Sequence, residues 1–199
     1  MSLRQCCGLG LIVIGFLVTE PALSADEDWP CVQRRVAELS MGQMWAGPPV
    51  DAAASAWRDD PSLASLARTL ASRRTTLDDA SAAIERFSKD AGPDKEAKLT
   101  LLFAGVFELI NTERRRLING IERYARKQKT LADQISETSR ILTHESKPAP
   151  ERATLEHRLQ WDTRIYDDRN QALQYVCESP VLLEQQVYAL AQEISRHLE

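Results

Sequence analysis

Aromatic residues make up only 6% of the 199 residues of this sequence, and it has only eight glycines. That scarcity argues against β-sandwiches and barrels, which spend both types freely. Histidine is scarcer still: only His144, His157 and His197 occur. There is no His-x-x-x-His, no zinc-finger spacing and no Cys-x-x-Cys-His, so neither a metal site nor covalent haem is indicated. Gly-x-Ser-x-Gly, the P-loop and the dinucleotide fingerprint are missing as well. So few histidines leave little for acid–base chemistry, and the many carboxylates read as solvated helix faces. The chain reads as a non-enzyme with no cofactor. The net charge of −4 supplies no basic surplus, which argues against a nucleic-acid partner.

What is present is helix-forming sequence. Residues 93–145 have no proline after Pro93 and only two glycines, Gly105 and Gly120. Apolar residues recur there at 3,4 spacing: Phe103, Phe107, Ile110, Leu117, Ile121, Tyr124, Leu131, Ile135 and Leu142. Such a stripe needs a partner helix along its length. Residues 99–110 (LTLLFAGVFELI) are apolar nearly all round and need cover on several sides. Beyond residue 119 only the stripe remains. The turn is 146–150, with Pro148 and Pro150, and a return helix follows over 151–198. Its stripe is Leu155, Leu159, Tyr166, Leu173, Val176, Leu183, Val187, Leu190 and Ile194, and Pro180 predicts a kink. Two short helices are expected over 61–91. Asp60-Pro61 reads as an N-cap with proline in the first turn, and Thr76-Leu77-Asp78-Asp79 as a near capping box. The expected fold is all-α: a long antiparallel helical hairpin, a coiled-coil-like arm, on a helix-bundle base.

The first residues read as a leader. Arg4 precedes an apolar run at 8–18, and Ala22-Leu23-Ser24 offers a cleavage site after Ser24. Residues 1–24 are therefore expected to be a signal peptide and 25–199 a single all-helical domain. The run is too short for a comfortable membrane span. Removing it takes Cys6 and Cys7 and leaves Cys31 and Cys177, which in an exported chain favours one disulfide.

Residues 25–50 carry Pro30, Gly42, Gly47, Pro48 and Pro49, which break any long helix, and yet hold Trp29, Met41, Met44 and Trp45. An extended strap across the bundle, pinned by Cys31, accounts for both. Met41 and Met44 could hold copper(I), but packing beneath the strap explains them more simply. The opening Asp28-Trp29-Pro30-Cys31, followed by Gly47-Pro48-Pro49, resembles the mature start of uncharacterised exported proteins of Gram-negative bacteria. The resemblance covers about the first quarter of the chain and implies a periplasmic address with no activity.

Polar residues interrupt the stripes at Arg114, Gln128, Asp162 and Arg169. Polar seam residues fix register at some cost in stability. The alternative is a polar cavity for a small anionic ligand, with Gln128, Tyr166 and Arg169 as donors. The basic residues of 114–129 face an acidic return segment, which favours a salt-bridged face over a lipid-binding one. Membrane association and oligomeric state stay open. The expected function is an exported scaffold or adaptor that binds a protein partner in the cell envelope. The alternative is a bundle that binds a small ligand or metal. Candidate contacts are Trp29, Trp45, Gln128, Tyr166 and Arg169.

Overall fold

The computed structural model describes residues 29–50 and 54–198. The expected signal peptide, with Cys6 and Cys7, the first strap residues and positions 51–53 lie outside the described residues. The fold is all-α, with no strand among the described residues. The helices are α1 (Met41–Met44), α2 (Pro61–Ala71), α3 (Leu77–Asp90), α4 (Lys95–His144) and α5 (Ala149–Ser195), with 3-10 turns at Ala54–Arg58 and Gly92–Asp94.

Local sequence sets the boundaries of the short helices. The Asp60 carboxylate accepts from the Ser62 and Leu63 amides at 2.8 and 3.1 Å, capping α2 directly ahead of Pro61. The Thr76 hydroxyl accepts from the Asp79 amide at 3.1 Å and donates to the Asp79 carboxylate at 2.7 Å. The aspartate thus meets the cap's side chain, where the longer glutamate of a capping box would reach its backbone. Between α3 and α4 the chain reverses at Gly92, whose φ of 65° lies in the left-handed region.

α4 and α5 run antiparallel. Arg114 on α4 donates to the Pro180 carbonyl, Tyr124 to that of Arg169 and Gln128 to that of Tyr166, while Arg152 on α5 donates back to the Leu142 carbonyl. Each pair is centred on residue 147 or half a residue before it. α2 packs on α4, and α3 packs on α5. These four helices bury Leu99, Leu102, Phe103, Val106, Ile110 and Val187 almost completely. Each such side chain contributes about 1.5–3 kcal/mol by leaving water. Beyond Ile121, α4 buries only Gln128, Leu131 and Thr138.

Several stripe positions differ from the sequence reading. Ile118 joins the seam beside Arg114 and Ile121, at 2% exposure. Val176 turns outward, and Cys177 and Pro180 are buried in its place. α5 runs unbroken through Pro180. Leu77, the apolar residue of the near capping box and the first residue of α3, is exposed. The strap holds the single helical turn α1, so it is not extended throughout.

Candidate functional site

The strap crosses one flank of the α4–α5 seam and is held at intervals. Cys31 is disulfide-bonded to Cys177 on α5. Arg35 pairs with Glu122, and Glu38 pairs with Arg115 at 3.1 Å. The Leu39 amide donates to Asn111 Oδ1 at 3.2 Å. Arg115 and Glu122 thus reach the strap, whereas the sequence reading had the charges of this segment facing α5.

Arg114 joins all three layers. Its guanidinium donates to the Val36 carbonyl of the strap and to the Pro180 carbonyl of α5, and it lies 3.5 Å from the Glu184 carboxylate. It is 3% exposed. Burial lowers its pKa, and the Glu184 charge partly restores it. Register fixing is the role these contacts support, since the same side chain sets the heights of strap and α5 against α4.

The five candidate contact residues separate in space. Trp45 stacks on Phe103, with ring centroids 4.2 Å apart and planes within 5°, and its indole donates to the Pro48 carbonyl at 2.8 Å. It belongs to the core wall, as do Met41 and Met44. Arg169 is exposed, and its backbone carbonyl rather than its guanidinium meets Tyr124. Trp29, Gln128 and Tyr166 do come together. With Pro30, Lys129 and Asn170 they line a cleft of about 330 Å³ between the strap and the helix pair. The Trp29 indole donates to the Gln33 carbonyl at 2.6 Å, which fixes the ring on the rim.

Gln128 is 7% exposed, and its Nε2 donates to the Tyr166 carbonyl at 3.1 Å. Its Oε1 is buried and has no hydrogen-bond partner among the described residues. The amide cannot be turned over to correct this, because two acceptors would then face each other. An unpaired buried acceptor costs about 1–3 kcal/mol.

A second concavity lies on the opposite flank of the seam, away from the strap. This groove of about 290 Å³ is lined by Leu117, Gly120, Ile121, Tyr124, Leu173 and Val176, with Arg116 and Ala172 at its edges. Gly120 leaves its floor open: an added Cβ would find only the Arg123 guanidinium, at 3.9 Å. Arg116, Arg123 and Arg169 are exposed around it. Sequence reasoning missed this groove, although Gly120, the lone glycine in the charged half of α4, was a signal.

Among the described residues no group of three or more His, Cys, Asp or Glu side chains could hold a metal ion. His144 and His157 are exposed. No described helix is long and apolar enough to cross a membrane. No protein family, curated protein or solved structure matches this chain.

Proposed function

We propose that the protein is an exported, periplasmic helical scaffold that binds a protein partner of the cell envelope. On this reading α4 and α5 extend as a coiled-coil-like arm from a helix-bundle base, and the partner docks where the two meet. The observation that carries it is the strap-free groove. Leu117, Ile121, Tyr124 and Val176 form its apolar floor. The arginines at its edges suit an amphipathic helix whose apolar face is bordered by acidic residues. The thinning of buried residues along α4 supports the division into base and arm. The Cys31–Cys177 bridge is compatible with an oxidising compartment.

The test is site-specific photocrosslinking in intact cells. A crosslinking residue at Ala172, in the groove, should give one discrete adduct with an envelope protein. One at the exposed Asp133 should not. The adduct should map to an acid-edged helix and should vanish in Val176→Glu. No adduct, or the same adducts from both positions, would refute the docking reading.

A further inference from the structure

Two glycines interrupt α4, and only one of them is explained within the chain. Glycine is less favourable than alanine in a helix interior. At Gly105 the Trp57 indole fills the space that a side chain would take. At Gly120 an added Cβ would meet, among the described residues, nothing nearer than the Arg123 guanidinium at 3.9 Å. Arg123 is exposed, so its long side chain can shift at little cost. No close approach by a described residue calls for glycine here, and the space over Gly120 belongs to the groove beside Val176.

We infer that this space is the anchor site of the groove. It takes one aromatic side chain from the docked helix, with a carboxylate of the same helix on the Arg123 guanidinium. The inference rests on the docking reading above and names the chemistry that the partner brings.

The size of the anchor follows from the groove. Its volume of about 290 Å³ lies at the bottom of the range of about 300–1,000 Å³ for pockets that enclose whole ligands, so one large side chain is the match. Leu117, Ile121, Leu173 and Val176 supply aliphatic walls, and Tyr124 supplies a ring. An aromatic anchor buries much area while few torsions are frozen, and such anchors carry a large share of interface energy. The floor is also set in advance. Ile121 and Leu173 are buried and pack with Cys177, which is bonded to Cys31. A surface already in place loses little freedom on binding.

The charge follows from the edge. Arg123 carries its guanidinium beside the space over Gly120, and Arg116 lines the same groove. Arg116 lies 3.7 Å from Glu113 on its own helix, which leaves Arg123 as the arginine nearest the anchor. An exposed pair of this kind adds modest affinity, and its larger effect is to select a partner of opposite charge.

The experiment titrates the full, oxidised protein with hydrocinnamate and with hydrocinnamamide. Shifts of the Leu117, Ile121 and Val176 methyl signals are followed in proton–carbon correlation spectra. The two probes share a ring and a chain length, and only hydrocinnamate is charged. Both should shift these signals saturably, in the millimolar range usual for molecules of this size. Hydrocinnamate should bind about two- to fivefold more tightly, and Arg123→Gln should remove that difference. Gly120→Leu should abolish binding of both. Gly120→Ala should shift the folding equilibrium in urea about fivefold toward the native state, and yet weaken both probes and lower the Ala172 adduct severalfold. A glycine with only a structural role would not move stability and binding in opposite directions. No saturable shift by tens of millimolar, equal affinity of acid and amide, or binding that survives Gly120→Leu would each overturn the anchor site. An adduct at Ala172 without probe binding would show that the partner docks without this anchor. Probe binding without an adduct would overturn the partner helix as the source of the ring.

Discussion

Replacing Gly105 by alanine sets two effects of similar size against each other. In the interior of α4 the change should gain about 0.8–1 kcal/mol of helix propensity. A Cβ at that position, however, would lie 2.8 Å from Trp57 Cδ2, 3.0 Å from Cγ and 3.1 Å from Cε3. The indole has nowhere to move. It is 3% exposed, its N–H donates to Glu108 at 3.3 Å, and the Arg58 guanidinium stands 4.7 Å over its ring. Overpacking of a filled core costs about 1–3 kcal/mol. The net for Gly105→Ala is therefore a loss of about 1 kcal/mol. In a Trp57→Ala background the obstacle is gone, and the same change should stabilise by about 1 kcal/mol. The reversal of sign is the diagnostic, and it implies a coupling of about 1–3 kcal/mol. Trp57→Ala alone costs about 3–5 kcal/mol, so urea titrations followed by far-UV circular dichroism should start in a stabilising osmolyte. If Gly105→Ala raises the midpoint equally in both backgrounds, the close approach of helix and indole is not what excludes a side chain at 105.

The bridge offers a second measurement. With a separation of 146 residues, the chain-entropy relation gives about 5 kcal/mol as a ceiling for removing it. The double variant Cys31→Ser/Cys177→Ser should lose about 2–5 kcal/mol in urea, and a loss below 1 kcal/mol would contradict the assigned closure. Arg114→Ala should cost roughly 2–4 kcal/mol, because the Val36 and Pro180 carbonyls lose a charged donor. It should also speed tryptic cutting at Arg34–Arg35, and an unchanged cutting rate would show that the strap is held without Arg114. Hydrogen bonds from Ser62 and Leu63 hold the Asp60 carboxyl below its ordinary value. The stability this gives is complete above the unfolded pKa of about 3.9 and is lost as pH falls through the lower folded value. Asp60→Asn, which still caps α2, should leave stability at pH 7 nearly unchanged and flatten its decline below pH 4. An unchanged acid limb would discount this carboxylate.

Helix content was legible from the sequence because it depends on local terms. Asp60, Pro61, Thr76 and the proline-free run after Pro93 act on their own neighbourhoods, and the structure places helices accordingly. The details of the return stripe depended on something remote. Extending a strict heptad through Tyr166 and Leu173 puts Arg169 and Val176 at the seam. The strap instead lies against the flank that contains Asn170 and Cys177, and none of its described residues lines the groove beside Val176. No local pattern on α5 encodes which flank a segment about 140 residues earlier will cover. Gly105 and Gly120 illustrate the same limit. Both stood out as glycines in a helix, but only the fold shows that Trp57 fills the space over one and that the other floors an open groove. The unpaired oxygen of Gln128 likewise follows from Nε2 meeting a carbonyl on another helix.

The link between Cys31 and Cys177 also decides how tension would travel through the molecule. Pulled from residues outside the bridge, the chain transmits force from the strap straight into α5 through the sulfur atoms, and α4 carries none of it once the backbone is taut. The 146-residue loop could not lengthen until that link was reduced. At ~3.3–3.6 Å per extended residue, roughly 500 Å of contour would remain hidden. Reduction would release that length in addition to whatever the unbridged segments give. A chain that must stay short under load in an oxidising compartment, and give way when electrons are supplied, would have this covalent layout.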